Sequence, residues 1–306
     1  MSELNKEGII RIDVRQALMI DPPPLDYVWP GFLAGTVGVM SASGGSGKSM
    51  WLLEALLAVA GGPAADLLEL RPCETGRAAY ICLEDPHPIL LHRLRALGRR
   101  FEPGVADEIG ESMEVLSCAG YRLDLPDQKQ MDRLARALDG VRVAAIDTFS
   151  RAHALDENNN SDMSRVLSAL EWICSRTGCA IVLVHHTNKA GGRDGGEAQH
   201  AARGASALVD NARWGAQLAR MTEDEAERLA DGDYSPDPSL PLPIRERRGF
   251  YCRMSCPKIN YGEPQEDRWY KREEGGVLVP ARLAPMSEYG AVKRAASIWK
   301  GRPERE

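Results

Sequence analysis

Ser41 to Leu53 reads SASGGSGKSMWLL, and the interpretation of this stretch decides the fold. Ala42 to Ser49 follows the spacing G-x-x-x-x-G-K-[ST], with Ala42 standing where the first glycine would be. That spacing suits a polyphosphate. The small residues Ser43, Gly44, Gly45, Ser46 and Gly47 let the backbone wrap closely, so that successive N–H groups can point at an anion. The Lys48 amine can reach the β- and γ-phosphates, and the Ser49 hydroxyl can ligate Mg2+. Alanine at position 42 costs little where φ is negative. The competing interpretation is a flexible Gly/Ser turn. The flanks favour the phosphate loop: Thr36-Val37-Gly38-Val39-Met40 has the character of a buried strand, and Met50 to Ala60 that of a buried helix. Strand, loop and helix in that order are the context the motif requires, and the helix would turn its positive end toward the anion.

Outward from the loop, apolar strands alternate with helical segments. Arg77–Leu83, Ser112–Ser117, Val141–Ile146 and Ala180–Val184 have strand character. Pro88–Arg100, Lys129–Leu138 and Met163–Arg176 have helical character, the last with apolar residues at Met163, Val166, Leu167, Leu170 and Ile173. Unbroken apolar strands separated by helices predict a parallel sheet covered on both faces. After about residue 204 the pattern changes. Ala212–Ala219 is expected as a strand, Met221–Leu229 as a charged surface helix and Asp231–Pro243 as a loop. Phe250–Cys256, Arg268–Glu273 and Gly276–Leu283 follow as strands, the last two forming a hairpin at Glu274-Gly275-Gly276. Residues 1–30 end in DPPPLDYVWP, whose prolines exclude regular helix there, and are expected to form an arm packing on the body or on a neighbour. Residues 31–284 form the main domain, and residues 285–306 a basic, flexible tail.

The 306-residue chain carries a formal net charge of −6, whereas proteins that coat duplex DNA broadly are usually basic. Any nucleic-acid contact must therefore be local. No run of 18 apolar residues predicts a membrane span, and the scattered cysteines lack a C-x-x-C pair, which points to a reducing cytoplasm.

Three further positions carry chemistry. Asp147 ends an apolar strand, where an acidic residue either ligates Mg2+ beside a phosphate loop or caps a following turn. Glu84 and Asp85 end the strand after the phosphate-loop helix, in LEDP. The RecA-like branch of phosphate-loop ATPases places there the carboxylate that polarises the attacking water. Thr148, which follows Asp147, cannot act as a base, which favours Glu84 for that role; the alternative is a capping pair before Pro86. His185 and His186 end the last parallel strand, and His186 stands where an imidazole can sense the γ-phosphate or simply terminate a strand. Thr187 to Arg203 is glycine-rich with Lys189, Arg193 and Arg203, suited either to tracking a nucleic-acid backbone or to a plain solvated loop.

Taken in order, ASGGSGKSM, AAYICLEDPHPILLHRLRALG, AIDTFSR, CAIVLVHHTNK, ARGASALVDNARW, SCPKINYG and DRWYKREEGGVLVPARL make the sequence similar to a RecA-type ATPase. More closely, it resembles the RepA-type hexameric replicative DNA helicases of IncQ-like plasmids. The resemblance implies an α/β fold with a RecA-like P-loop NTPase core, a mainly parallel sheet with helices on both faces, and C-terminal antiparallel strands. It implies a homohexamer with ATP and Mg2+ between protomers and single-stranded DNA in the channel. It assigns Lys48, Ser49, Glu84, Asp147 and His186 to the protomer that holds the nucleotide. Arg203, in ARGAS, matches the arginine that reaches a neighbour's γ-phosphate. Lys258, in PKIN, stands where related rings carry a Lys-x-Arg pair, with Asn260 in place of the arginine. Residues 149–162 and 187–203 would face the channel. A ring with basic loops inside reconciles DNA binding with an acidic exterior. The implied activity is 5′→3′ translocation on single strands in plasmid replication, with an initiator and a primase as further partners. Its rival is a RecA-like regulatory or recombination ATPase that binds DNA without unwinding it.

Overall fold

Val37–Ala42 is buried at all six positions and lies at the middle of the sheet, as its apolar sequence requires. The structure, a computed structural model, describes residues 11–157, 159–186, 208, 210–231 and 244–286. In chain order it contains α1 (Val14–Ala17), β1 (Tyr27–Trp29), β2 (Phe32–Leu33), β3 (Val37–Ala42), α2 (Lys48–Gly61), β4 (Ala78–Cys82), α3 (His87–Gly98), α4 (Val105–Ser112) and β5 (Met113–Ser117). There follow α5 (Gln128–Ala137), β6 (Val143–Asp147), α6 (Asn160–Thr177), β7 (Ala180–His186), β8 (Trp214–Arg220), α7 (Glu223–Arg228) and β9 (Leu229–Asp231). The last elements are β10 (Tyr251–Ile259), β11 (Arg268–Arg272), β12 (Leu278–Pro280) and β13 (Leu283–Pro285).

The main sheet has the order β12-β11-β10-β8-β3-β7-β6-β4-β5. The pairings from β8 through β5 are parallel, and those from β8 out to β12 are antiparallel. This is the mainly parallel α/β sheet with helices on both faces anticipated from the sequence, with its antiparallel C-terminal strands. Alternate residues face opposite sides. Met40, Tyr80, Val143 and Val182 join the core under α2, while Val39, Ile81, Ala144 and Ile181 join the core under α5 and α6. The five apolar residues of α6 named above are all buried in that second core. The Asn159 side chain caps the start of α6, and Gly178 ends it in the left-handed region.

Two features differ from the sequence expectation. A helix, α4, forms before β5, opened by Gly104 and facing the core through Val105 and Ile109. Gly276–Leu283 is two short strands rather than one. Pro280 ends β12, since proline cannot donate to a ladder, and β13 pairs with β9 instead. Of the two placements expected for the arm, residues 27–29 take the body: Trp29 packs with Phe32, Trp51 and Trp214 at ring-centroid distances of 5.0, 6.2 and 5.7 Å. Arg142 fastens the same segment through Asp26, at 2.6 and 3.1 Å.

Candidate nucleotide site

The carboxyl ends of the parallel strands lie side by side. Ala42 is level with His186, and Cys82 with Asp147. A strand, β7, lies between the strand that leads into the phosphate loop and the strand that carries Asp147. Crevices at such strand ends are where open α/β sheets bind ligands.

From Ala42 the chain passes through Ser43 to Gly47 and enters α2 at Lys48. Gly45 and Gly47 take φ of +69° and +106°, which a side chain would strain. The Ser46 N–H donates to the Ser43 carbonyl at 3.2 Å, closing the turn. No side chain caps α2, so its first-turn N–H groups face the loop without a side-chain acceptor. Lys48 is buried, and Ser49 lies beside it in the first turn. The Ser46 hydroxyl is buried without a partner among the described residues. This is a cradle for an anion, built from backbone donors and one buried cation.

Asp147 is 1% exposed. Its Oδ2 accepts a hydrogen bond from the Tyr80 hydroxyl at 2.6 Å, whereas its Oδ1 has no partner among the described residues. Burial, reinforced by the Asp147 charge, holds the Tyr80 hydroxyl protonated well above its usual range, so it remains a donor. A buried carboxylate with one free oxygen beside a phosphate loop fits a divalent cation. Asp147 does not cap the turn that follows: the N-cap there is Thr148, without a side-chain cap bond. The Thr148 hydroxyl instead donates to the Val184 carbonyl at 3.1 Å.

Glu84 and Asp85 have separate partners. Asp85 Oδ2 accepts from Arg93 at 2.6 Å, while Glu84 Oε2 lies 3.5 Å from His186 Nε2. Neither caps α3, whose N-cap is Pro86 with no side-chain cap bond. The half-buried Glu84 therefore faces the end of β7. The neighbouring His185 turns the other way, its Nε2 lying 3.6 Å from Glu157. The nearby His185 imidazole draws the Glu157 carboxyl below its usual range, against the opposing effect of burial.

Lys258 is not brought to this end of the sheet. It pairs with Gly215, which is level with Val39, three residues before Ala42, and its amine bonds the Asp210 carbonyl. Arg203 and residues 187–203 lie outside the described residues. Sequence reasoning missed four contributors: Tyr80, Arg93, Arg220 and Arg272. The two last reach the phosphate loop from strands far along the chain. Beside Ser43 opens a cavity of about 670 Å³, walled by Leu218, Arg220, Thr222 and Arg248.

No helix among the described residues is long and apolar enough to cross a membrane. The chain is similar to the crystal structure of the RadB recombinase at 13% identity and a TM-score of 0.47, over 81% of this chain and 90% of that one. The AAA_25 family, described as an AAA domain, matches residues 9–192, more than half of the chain and the part that holds the phosphate loop, Glu84, Asp147 and His186. The chain thus belongs to the AAA_25 family of AAA domains.

Proposed function

We propose that this protein hydrolyses ATP as a Mg2+-dependent replicative DNA helicase that works as a homohexamer and moves 5′→3′ along single strands in plasmid replication. The observation that carries the reading is the contact between Glu84 and His186. The carboxylate suited to polarise water touches the last residue of β7, and the chain runs on from there into residues 187–203, read above as facing DNA. A change at the γ-phosphate thereby has a path to the DNA-facing segment.

In this reading the N–H groups of the loop, that of Ser46 excepted, and the Lys48 amine hold the phosphates and offset their charge. The Ser49 hydroxyl and Asp147 Oδ1 would hold Mg2+, which when bound would draw charge from the phosphate oxygens. Glu84 accepts the proton of the water whose oxygen bonds to the terminal phosphorus, as the bond to the bridging oxygen breaks and ADP leaves. Arg203 from the neighbouring protomer stabilises the charge that develops. The arm supports assembly. Ile12, Val14, Leu18, Met19 and Ile20 are all exposed and α1 buries none of its residues, so a second copy is a natural cover for this apolar surface.

The test is displacement of a labelled strand from a forked duplex, using protein sized by light scattering. ATP-driven displacement by hexamer-sized particles supports the proposal. ATP hydrolysis stimulated by single-stranded DNA without displacement replaces it with the regulatory or recombination ATPase. A monomer at full rate, indifferent to oligonucleotide, overturns both.

A further inference from the structure

Two arginines from the C-terminal strands reach the phosphate loop of their own chain. Arg220, the last residue of β8, donates from Nη2 to the Gly44 carbonyl at 3.0 Å. Arg272, the last residue of β11, donates from Nη2 to the Gly45 carbonyl at 3.1 Å. β11 lies three strands from β3, about 14 Å in a flat sheet. The twist of the sheet brings its edge over the loop. Glycine leaves room for both guanidinium groups. A Cβ on Gly45 would collide with Arg220 Nη2, and one on Gly47 would lie 3.1 Å from Arg272 Nη2.

The hairpin β11–β12 is also fastened to the helix behind the loop. Leu278, the cross-strand partner of Arg272, donates its N–H to Glu54 Oε1 at 2.8 Å. Glu54 is fully buried in α2, and burial pushes its carboxyl up to about 9, so it is neutral at pH 7. The connections close a circuit from α2 through Glu54, β12 and β11 to Arg272, the loop and back to α2. Arg220, Arg272 and Leu278 all lie beyond residues 9–192, the segment the family accounts for.

A trans peptide points its N–H and C=O in opposite directions. A cation donating to the Gly44 and Gly45 carbonyls therefore turns the N–H groups of Gly45 and Ser46 to the other side. It also polarises those peptides, which strengthens them as donors. We propose that Arg220 and Arg272 are positioning residues of the nucleotide cradle, Arg220 holding the Gly45 N–H toward the phosphates and Arg272 holding the Ser46 N–H in its turn bond to the Ser43 carbonyl, both from the same chain, so that the β11–β12 hairpin is a working part of the site. The assignment rests on the ATPase reading.

The experiment measures binding of MgATP through a fluorescent ATP analogue, steady-state ATP hydrolysis, and the melting midpoint without nucleotide. The proteins are the wild type, Arg220→Gln, Arg272→Gln and Arg272→Lys. Each glutamine variant should bind about tenfold more weakly, the loss expected for one charge-assisted hydrogen bond. KM for ATP should rise by a similar factor, with kcat changed less and the nucleotide-free midpoint unchanged. Arg272→Lys, which keeps the charge, should recover part of the affinity. Glutamine variants that bind within about twofold of wild type, which is below the value of such a bond, overturn the assignment. A lowered nucleotide-free midpoint that lysine does not rescue also overturns it, because the arginine is then structural only. A wild type that binds no MgATP brings down the ATPase reading itself, a result separate from either.

Discussion

Glu84 Oε2 and His186 Nε2 lie 3.5 Å apart, joining the end of β4 to the end of β7 across the carboxyl edge of the sheet. Asp85, one residue away, is taken up by Arg93 and is not available for the same contact. Glu84→Gln keeps the shape and removes the acceptor of a water proton. Its ATP turnover should fall by about 10²–10⁴-fold, the usual share of a general base, with MgATP binding retained. His186→Asn should lose most of the stimulation of hydrolysis by single-stranded DNA while keeping basal turnover above that of Glu84→Gln. The two variants are compared in a coupled ATPase assay with and without oligonucleotide. If Glu84→Gln hydrolyses at the wild-type rate, the water-polarising role belongs elsewhere.

Lys48 is the buried cation of the cradle and the first residue of α2. Lys48→Ala should abolish ATP hydrolysis while leaving assembly intact. Lys48 belongs to the loop itself, whereas the proposed seam between protomers depends on other groups. Hydrolysis is read by phosphate release, and particle mass by light scattering. Residual hydrolysis near wild type would exclude residues 42–49 as the phosphate site.

Much of this site is legible in the sequence because its parts are local. Ala42 to Ser49 is one contiguous loop, and Glu84, Asp147 and His186 each end an apolar run. The end of a parallel strand is where its neighbours' ends also lie. The arginine braces were not legible, because Arg220 and Gly44 are 176 residues apart and Arg272 and Gly45 are 227 apart. No local pattern marks an arginine at the end of an antiparallel strand as a partner of a loop so distant. The helix α4 was missed because eight residues bearing Asp107, Glu108 and Glu111 give only two core contacts, Val105 and Ile109. Glu54, by contrast, left a signal: it is the lone charge in the otherwise apolar run MWLLEALLAVA.

In the proposed assembly Arg203 is the residue on which the seam between protomers would depend. Arg203→Ala should abolish hydrolysis yet leave MgATP affinity within about threefold of wild type, because a cation supplied in trans acts mainly on charge that develops in the transition state. Mixed rings give the sharper measurement. Arg203→Ala protein combined with Glu84→Gln protein should regain part of the hydrolysis, since a seam between the two kinds of protomer can join an intact Glu84 to an intact Arg203. Normal turnover by Arg203→Ala alone would remove it from this role.

Glu54 gives the fold a pH dependence whose sign is fixed by its burial. Its carboxyl is pushed from 4.5 to about 9 in the folded chain, with burial the largest cause and the Leu278 N–H only partly opposing it. The native state therefore keeps a proton that the unfolded chain releases above its ordinary value. The stabilising contribution is fully present below about pH 4.5 and is lost progressively as pH rises through about 9. Glu54→Gln preserves an acceptor for Leu278 but cannot ionise. It should match wild type near pH 4.5 and exceed it at pH 8 by about 2 kcal/mol or more. Urea unfolding of both proteins across that range checks the sign. A difference that stays flat with pH would mean that Glu54 ionises alike in the folded and unfolded chains. A wild type that gains on the variant as pH rises would mean that a cation, with Arg100 as the charge that already acts on it, stabilises an ionised Glu54.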